Sequence, residues 1–236
     1  MMKLNKKKVL VVAVAISLIA LAVGGTLAWF TDGAEVQNTF TIGSIKIEQL
    51  EDFDEQTAQL LPVVGEDPTV TTDNYIQKKV TVKNVGKNGA YVQTYVAVPA
   101  VLDNNGIVKL YDLNCANNGW SQAELVATDV AIDGETLLYN VYRYRYGSEL
   151  QPNVTTEACL EYVYIDKTID MKVVDDNTAH FVLPNGTVIT EFNIAGQLNV
   201  YVATQAIQAK GFADEASALD SGFKNAQGEL VHPWAE

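Results

Sequence analysis

Arginine is almost missing from this sequence: Arg143 and Arg145, two positions apart, are the only ones among 236 residues. Basic side chains number 16 against 29 acidic ones, a formal net charge of −13. Four of the 16 (Lys3, Lys6, Lys7 and Lys8) lie in the first 28 residues, which hold no acid. The remaining chain therefore sets twelve bases against all 29 acids, a net charge of −17. Such a surface repels phosphate backbones, so nucleic acid is not expected as a partner; acidity of this kind ordinarily serves solubility. Histidine is equally scarce, with His180 and His232 far apart. The zincin arrangement, two histidines at i and i+4 with a glutamate between them, does not occur. Neither does a Gly-x-Ser-x-Gly elbow or a glycine-rich phosphate loop. No catalytic residue, metal ligand or cofactor is expected, and the chain reads as a non-enzyme.

Cysteine occurs twice, as Cys115 and Cys159. In an exported protein the two can close one bridge, stabilising by about 3–4 kcal/mol through loop entropy. Two buried thiols explain them equally well, and the sequence leaves both readings open.

What is present begins with an export signal. Met1 to Lys8 is basic, and Val9 to Val23 is an apolar run of fifteen residues interrupted only by Ser17. Gly24-Gly25 then breaks the helix, and Thr26-Leu27-Ala28 puts small residues at −3 and −1 for cleavage between Ala28 and Trp29. A membrane span wants about 20 apolar residues, so an uncleaved anchor fits less well. Contact with the membrane is expected only through this signal helix before it is cleaved.

Across this junction the chain reads Gly24-Gly25-Thr26-Leu27-Ala28-Trp29-Phe30-Thr31-Asp32, then Asn38-Thr39-Phe40-Thr41-Ile42-Gly43-Ser44-Ile45. It resembles the SipW-type signal and mature start of the TasA and camelysin family of Gram-positive bacteria. The shared pattern is a glycine pair, T-x-A, an aromatic residue, an acid, and N-T-F-x-x-G-x-(I/L). The resemblance implies processing by a SipW-type signal peptidase, secretion to the cell surface or extracellular matrix, and a jelly-roll-like β-sandwich. It also implies subunits that polymerise into biofilm fibres. Some camelysin relatives carry a metallopeptidase label, for which the motif is missing here.

The rest of the chain alternates in short runs. Thr39 to Leu50 changes phase at Gly43, which suggests a bulged strand. Glu51 to Asn74 is acidic and turn-rich, a solvated loop without the ligand spacing of a calcium site. Tyr75 to Asn84 places Ile76, Val80 and Val82 on one face. Tyr91 to Val98 places Val92, Val96 and Val98 inward, and the turn at Lys87-Asn88-Gly89 makes a hairpin of the two runs. Leu102 to Gln122 reads as irregular, and Leu125 to Ile132 as a weak strand before the Asp133-Gly134 turn.

Leu137 to Tyr146 sets Tyr142, Tyr144 and Tyr146 on one face and Val141, Arg143 and Arg145 on the other. A tyrosine row beside arginines can stack ligands, but cross-strand aromatic packing explains it more simply. Further strands are expected at Cys159 to Ile165, around Asn185-Gly186, and at Leu198 to Gln208. Phe212 to Phe223 has helical spacing, ended by Gly222. The final VHPWAE shows no sorting motif, so covalent anchoring to the cell wall is not expected.

These signals predict an all-β protein: an antiparallel, jelly-roll-like β-sandwich with a cleaved N-terminal signal helix and a short C-terminal helix. The expected divisions are a signal peptide at 1–28, an N-terminal arm at 29–37, the sandwich at 38–212 and a helical tail at 213–236. Trp29, Phe30 and Val36 are the arm's candidate anchors for adding to a neighbouring subunit's sheet edge. The expected partners are the signal peptidase and other copies of this chain or related fibre subunits. A monomeric surface adhesin and an accessory fibre subunit are the alternatives.

Overall fold

Alternating apolar residues give strands one buried face, and in this protein those faces meet across a shared core. The computed structural model describes residues 31–33, 45–52, 62–63, 74–111, 118–175, 178–189 and 199–235. In chain order the elements are β1 (Thr31–Gly33), β2 (Ile47–Asp52), β3 (Ile76–Asn84), β4 (Ala90–Pro99), α1 (Ala100–Asp103), β5 (Val108–Tyr111), β6 (Glu124–Ala131) and β7 (Leu138–Arg145). They continue with β8 (Leu160–Ile165), β9 (Asp170–Asp175), β10 (Thr178–Val182), β11 (Val188–Ile189), β12 (Tyr201–Gln208) and α2 (Glu215–Gly222). The described elements belong to one compact unit that begins at Thr31.

Five strands form one sheet in the order β1-β12-β4-β7-β6, and four form another in the order β2-β3-β8-β5. A three-stranded sheet, β11-β10-β9, completes the set, and all the strand pairs are antiparallel. Val80, Val82, Leu160 and Val163 of the four-stranded sheet share one buried cluster with Val92, Val96, Tyr144 and Ala206 of the five-stranded sheet. Strands remote in sequence pair repeatedly, β4 with β12 and β3 with β8. This interleaving is that of a long hairpin wrapped on itself, the jelly-roll arrangement. The all-β sandwich expected from the alternation is what forms.

The expected β3–β4 hairpin does not form. β3 and β4 lie in different sheets, and the turn between them carries the chain from one sheet to the other. Asn84 holds this corner: its side-chain amide donates to Asn88 O and Leu150 O, both at 2.8 Å, and its Oδ1 accepts from Gly86 N at 2.9 Å. Alternation told correctly which faces are apolar. It could not tell pairing across a ladder from facing across a core, because both bury the same residues.

β4 is buried nearly throughout, the mark of a strand covered on both faces. Val92, Val96 and Val98 face the shared core. Tyr95 and Ala97 face the opposite side, where Leu230 and Trp234 of the C-terminal tail pack near them. Ala218, Leu219 and Phe223 close over Ile207 beside Tyr91. α2 starts at Asp214, whose carboxylate accepts from Ser217 N at 2.8 Å as an N-cap. It ends on Gly222, where a Cβ would come within 2.3 Å of Ile207 Cδ1. That glycine answers a packing need as well as a helix stop. The tail is thus a third layer on the five-stranded sheet.

Between Leu102 and Gln122, read as irregular, the chain forms the end of α1 and all of β5. Leu102, Ile107 and Val108 are buried there, and Gly106 turns the chain at φ +67°. Four-residue elements lie below what periodicity can resolve. β9 was also unforeseen, whereas the Asn185-Gly186 hairpin forms with Phe181 opposite Ile189 and Val182 opposite Val188. The bulge expected at Gly43 falls outside the described residues, as does most of the 51–74 loop, of which Glu51 and Asp52 extend β2.

Candidate functional site

The outer edge of β12 is where the expected arm meets the sandwich. Thr31, Asp32 and Gly33 stand opposite Ile207, Ala206 and Gln205 in antiparallel register. On its other side β12 pairs with β4 along its whole length, from Tyr201 opposite Ala97 to Gln208 opposite Ala90. Val92 O accepts from Tyr146 N on the β7 side, and Ala209 N donates to Gly89 O. Strict alternation from these bonds turns the N–H and C=O of Val202, Thr204 and Ala206 toward the outer edge. β1 covers Ala206, and the edge from Thr204 to Val202 lies beyond the reach of its three residues.

A side chain from the facing sheet reaches that stretch. Gln49, on β2, donates from Nε2 to Val202 O at 3.3 Å and accepts at Oε1 from Thr204 Oγ1 at 2.8 Å. Thr204 Oγ1 in turn lies 2.9 Å from Thr94 Oγ1. Gln49 Nε2 also donates to Glu51 Oε1 at 2.6 Å, and Glu51 Oε2 holds the buried Lys78 ammonium at 2.6 Å. Lys78 alternates in phase with Ile76 and Val80, on the face that turns to the core. Its carboxylate partner sits on the neighbouring strand, where pattern reading cannot look.

The tyrosine strand is packed inward. Tyr144 is fully buried in the shared core, with Tyr142 and Tyr146 packed against it. Tyr142 Oη donates to Asp103 Oδ2 at 2.7 Å, and the Tyr146 ring meets Trp120 with centroids 5.2 Å apart. Burial, then the Asp103 bond, pushes the Tyr142 phenol well above its usual range. The row is core and not a stacking platform.

The two arginines lie on the opposite face. Arg143, 6% exposed, bridges Glu124 at 2.8 Å and Asp220 of α2 at 3.4 Å, tying the tail to the sheet. Arg145 stands 4.0 Å from the same two acids at a cleft of about 430 Å³ lined also by Trp120, Ser121, Ser148 and Glu215.

His180 lies on β10 opposite Lys172, and His232 lies in the tail. Among the described residues no three or more His, Cys, Asp or Glu side chains are grouped to hold a metal ion. Burial lowers the His232 pKa below its ordinary value of 6.5, so the fold favours the neutral ring. That stability is complete above the unfolded pKa and is lost as pH falls below about 6.5. Glu135, lowered by bonds from Tyr201 and Asn199, and Asp214, lowered by Ser217, lose their contributions at lower pH, in the carboxylate range. Urea midpoints measured from pH 7.5 to 5.5 are expected to fall for the native chain. For His232→Phe they are expected to stay flatter over the same window.

Of the residues expected to act at the N-terminus, Ala28, Trp29, Phe30 and Val36 lie outside the described residues, as does Cys115. Cys159 is buried next to the start of β8. The described flanks of residues 112–117 are both held against that region. Tyr111 pairs with Tyr162, and Asn118 Nδ2 donates to Ala158 O at 3.4 Å.

A family model described as camelysin metallo-endopeptidase matches residues 3–59. No curated protein matches the chain. The matched span covers the expected export signal, the expected arm and β2. The likeness to the TasA and camelysin family read from residues 24–45 is therefore borne out over residues 3–59 of this chain.

Proposed function

We propose that the chain is a secreted structural protein of the cell surface or biofilm matrix, and that it assembles into fibres by adding its N-terminal arm to the sheet of a neighbouring copy. A SipW-type signal peptidase cutting between Ala28 and Trp29 releases that arm. The observation that carries the reading is the β1–β12 register. If an arm docked on a neighbour's β12 kept that register in both directions, Phe30 would stand opposite Gln208, Ala34 opposite Thr204 and Val36 opposite Val202, and residues 30–37 would span Gln208 to Tyr201. Directly opposed residues share a face. Ala34 and Val36 would then fall on the face of Val202, Thr204 and Ala206, and Glu35 and Gln37 on the other. Main-chain bonds supply affinity and the apolar alternation supplies register.

β1 docked on its own β12 is the closed form of the same contact, and exchange between copies converts it to an open chain of subunits. The printed description of the family names a metallo-endopeptidase. For this chain that reading rests on the description alone, and we hold it to be a non-enzyme. Chains beginning at Trp29 and at Thr39 should be compared by sedimentation and electron microscopy at high concentration. The first is expected to polymerise and the second to remain monomeric. A monomeric first chain, or equal polymerisation of both, refutes the reading.

A further inference from the structure

We propose that the folded protein joins Lys78 to Gln49 by a side-chain amide bond, with Glu51 as the proton carrier. Among the described residues Lys78 is the one buried lysine. Its ammonium donates to Glu51 Oε2 at 2.6 Å, and the Gln49 amide donates to the other oxygen of that carboxylate, Oε1, also at 2.6 Å. An amine and a carboxamide are thus gathered on one acid. Two adjacent strands supply all three groups: Gln49 and Glu51 of β2 stand opposite Val82 and Val80 of β3, and Lys78 precedes Val80 by two residues.

The carboxamide is fixed at each polar atom. Nε2 gives its second hydrogen to Val202 O at 3.3 Å, and Oε1 accepts from the buried Thr204 hydroxyl at 2.8 Å. Thr204 has its one hydrogen for this bond because Thr94 Oγ1 then serves as donor in their 2.9 Å contact. A flipped amide would set its oxygen against two acceptors, so nitrogen faces Glu51 and oxygen faces Thr204. Acyl transfer needs that orientation. The hydroxyl stabilises the negative charge that grows on Oε1 under attack, and the leaving nitrogen already touches the group that will protonate it.

The step needs no co-reactant. Glu51 takes a proton from the Lys78 ammonium, and the freed lone pair attacks Gln49 Cδ. The bond from Cδ to Nε2 breaks as Glu51 returns that proton to Nε2. Nζ sheds one further proton, which the departing ammonia carries away as ammonium. One C–N bond forms and one breaks, with no change of oxidation state. The buried positive charge leaves for water, where it costs least, and the part-exposed Glu51 remains an anion. Holding both reactants on one acid makes the reaction unimolecular. β2 is an end strand of its sheet, paired with β3 alone, and the bond locks it there by closing residues 49–78 into a covalent ring.

The test is the intact mass of the folded chain beginning at Trp29, expected about 17 Da below the mass of its sequence, one ammonia lost. No Lys or Arg lies between 47 and 77, and an acylated Lys78 resists trypsin, so the deficit should appear in peptide 47–79. Cleavage after Glu51 should then leave a branched fragment that carries both Gln49 and Lys78. Lys78→Arg, which keeps a cation for Glu51, is expected at full mass, and Glu51→Gln is expected to react about a hundredfold more slowly or less. A native chain of full sequence mass, folded by circular dichroism, overturns the proposal without reference to any variant. So does a deficit that persists in Lys78→Arg, and a native rate in Glu51→Gln removes the acid from its role.

Discussion

Replacing Tyr144 by alanine is expected to lower stability by about 3–5 kcal/mol, the cost of emptying a large aromatic site in a packed core. Tyr144 sits opposite Thr94 in the β4–β7 ladder, and its ring belongs to the cluster that both sheets share. Collapse around the vacancy is restrained because neighbours on either side, Val92 and Val96 among them, are fixed in ladders of their own. Leu138→Ala on the same strand, where the side chain is exposed, should change stability by no more than about 0.5 kcal/mol. Urea unfolding of the three proteins checks the pair. An adhesin that read ligands through this tyrosine row would show the reverse: little loss of stability and a large loss of binding. A Tyr144→Ala chain of near-native stability would return the row to the surface.

That contrast shows how far alternation can be read. The sequence correctly set Tyr142, Tyr144 and Tyr146 against Val141, Arg143 and Arg145, but both faces of β7 are covered, one by the facing sheet and one by the tail. Period-2 patterning identifies opposite faces; it assigns one to solvent only when the other side is charged. Here even a face that carries two arginines is covered, with Arg143 buried. The acids that make Arg143 burial tolerable, Glu124 and Asp220, lie 19 and 77 residues away. A long-range ion pair leaves no local trace. The same blindness placed β3 and β4 in one hairpin.

Signals that act within a few residues were legible. Asn185-Gly186 marked a hairpin because the turn itself requires the positive φ that Gly186 adopts. The α2 helix was legible from its spacing, and its cap, Asp214 three residues before Ser217, is equally local. For the candidate site, Trp29, Phe30 and Val36 could be named as anchors from the sequence, whereas the strand an arm would meet could not. β1 and β12 stand at opposite ends of the unit's sequence, and only their register discloses that Asp32 and Ala206 are matched. Gln49 was invisible for the same reason: a lone glutamine in a strand carries no signal until the groups that meet its amide are known.

Leu219→Ala is expected to cost about 2–5 kcal/mol and to show whether the tail folds with the sandwich or after it. Leu219 is fully buried with Ala218 and Phe223 against Ile207, so truncation opens a cavity directly behind the strand whose outer edge pairs with β1. The tail has a second attachment through Asp220 to Arg143, and a third where Leu230 and Trp234 pack beside Tyr95 and Tyr139. Three separate attachments to one sheet make independent detachment unfavourable, since the outer faces of β4 and β7 would be exposed at once. Unfolding followed by Trp234 fluorescence and by far-ultraviolet circular dichroism should therefore give coincident transitions in the native chain. In Leu219→Ala both should move to lower urea together, with an unchanged slope. If the Trp234 signal moves alone, the tail is a separately melting layer. The backing of β12, and with it the rigidity of the edge offered to an incoming arm, would then be set by the tail.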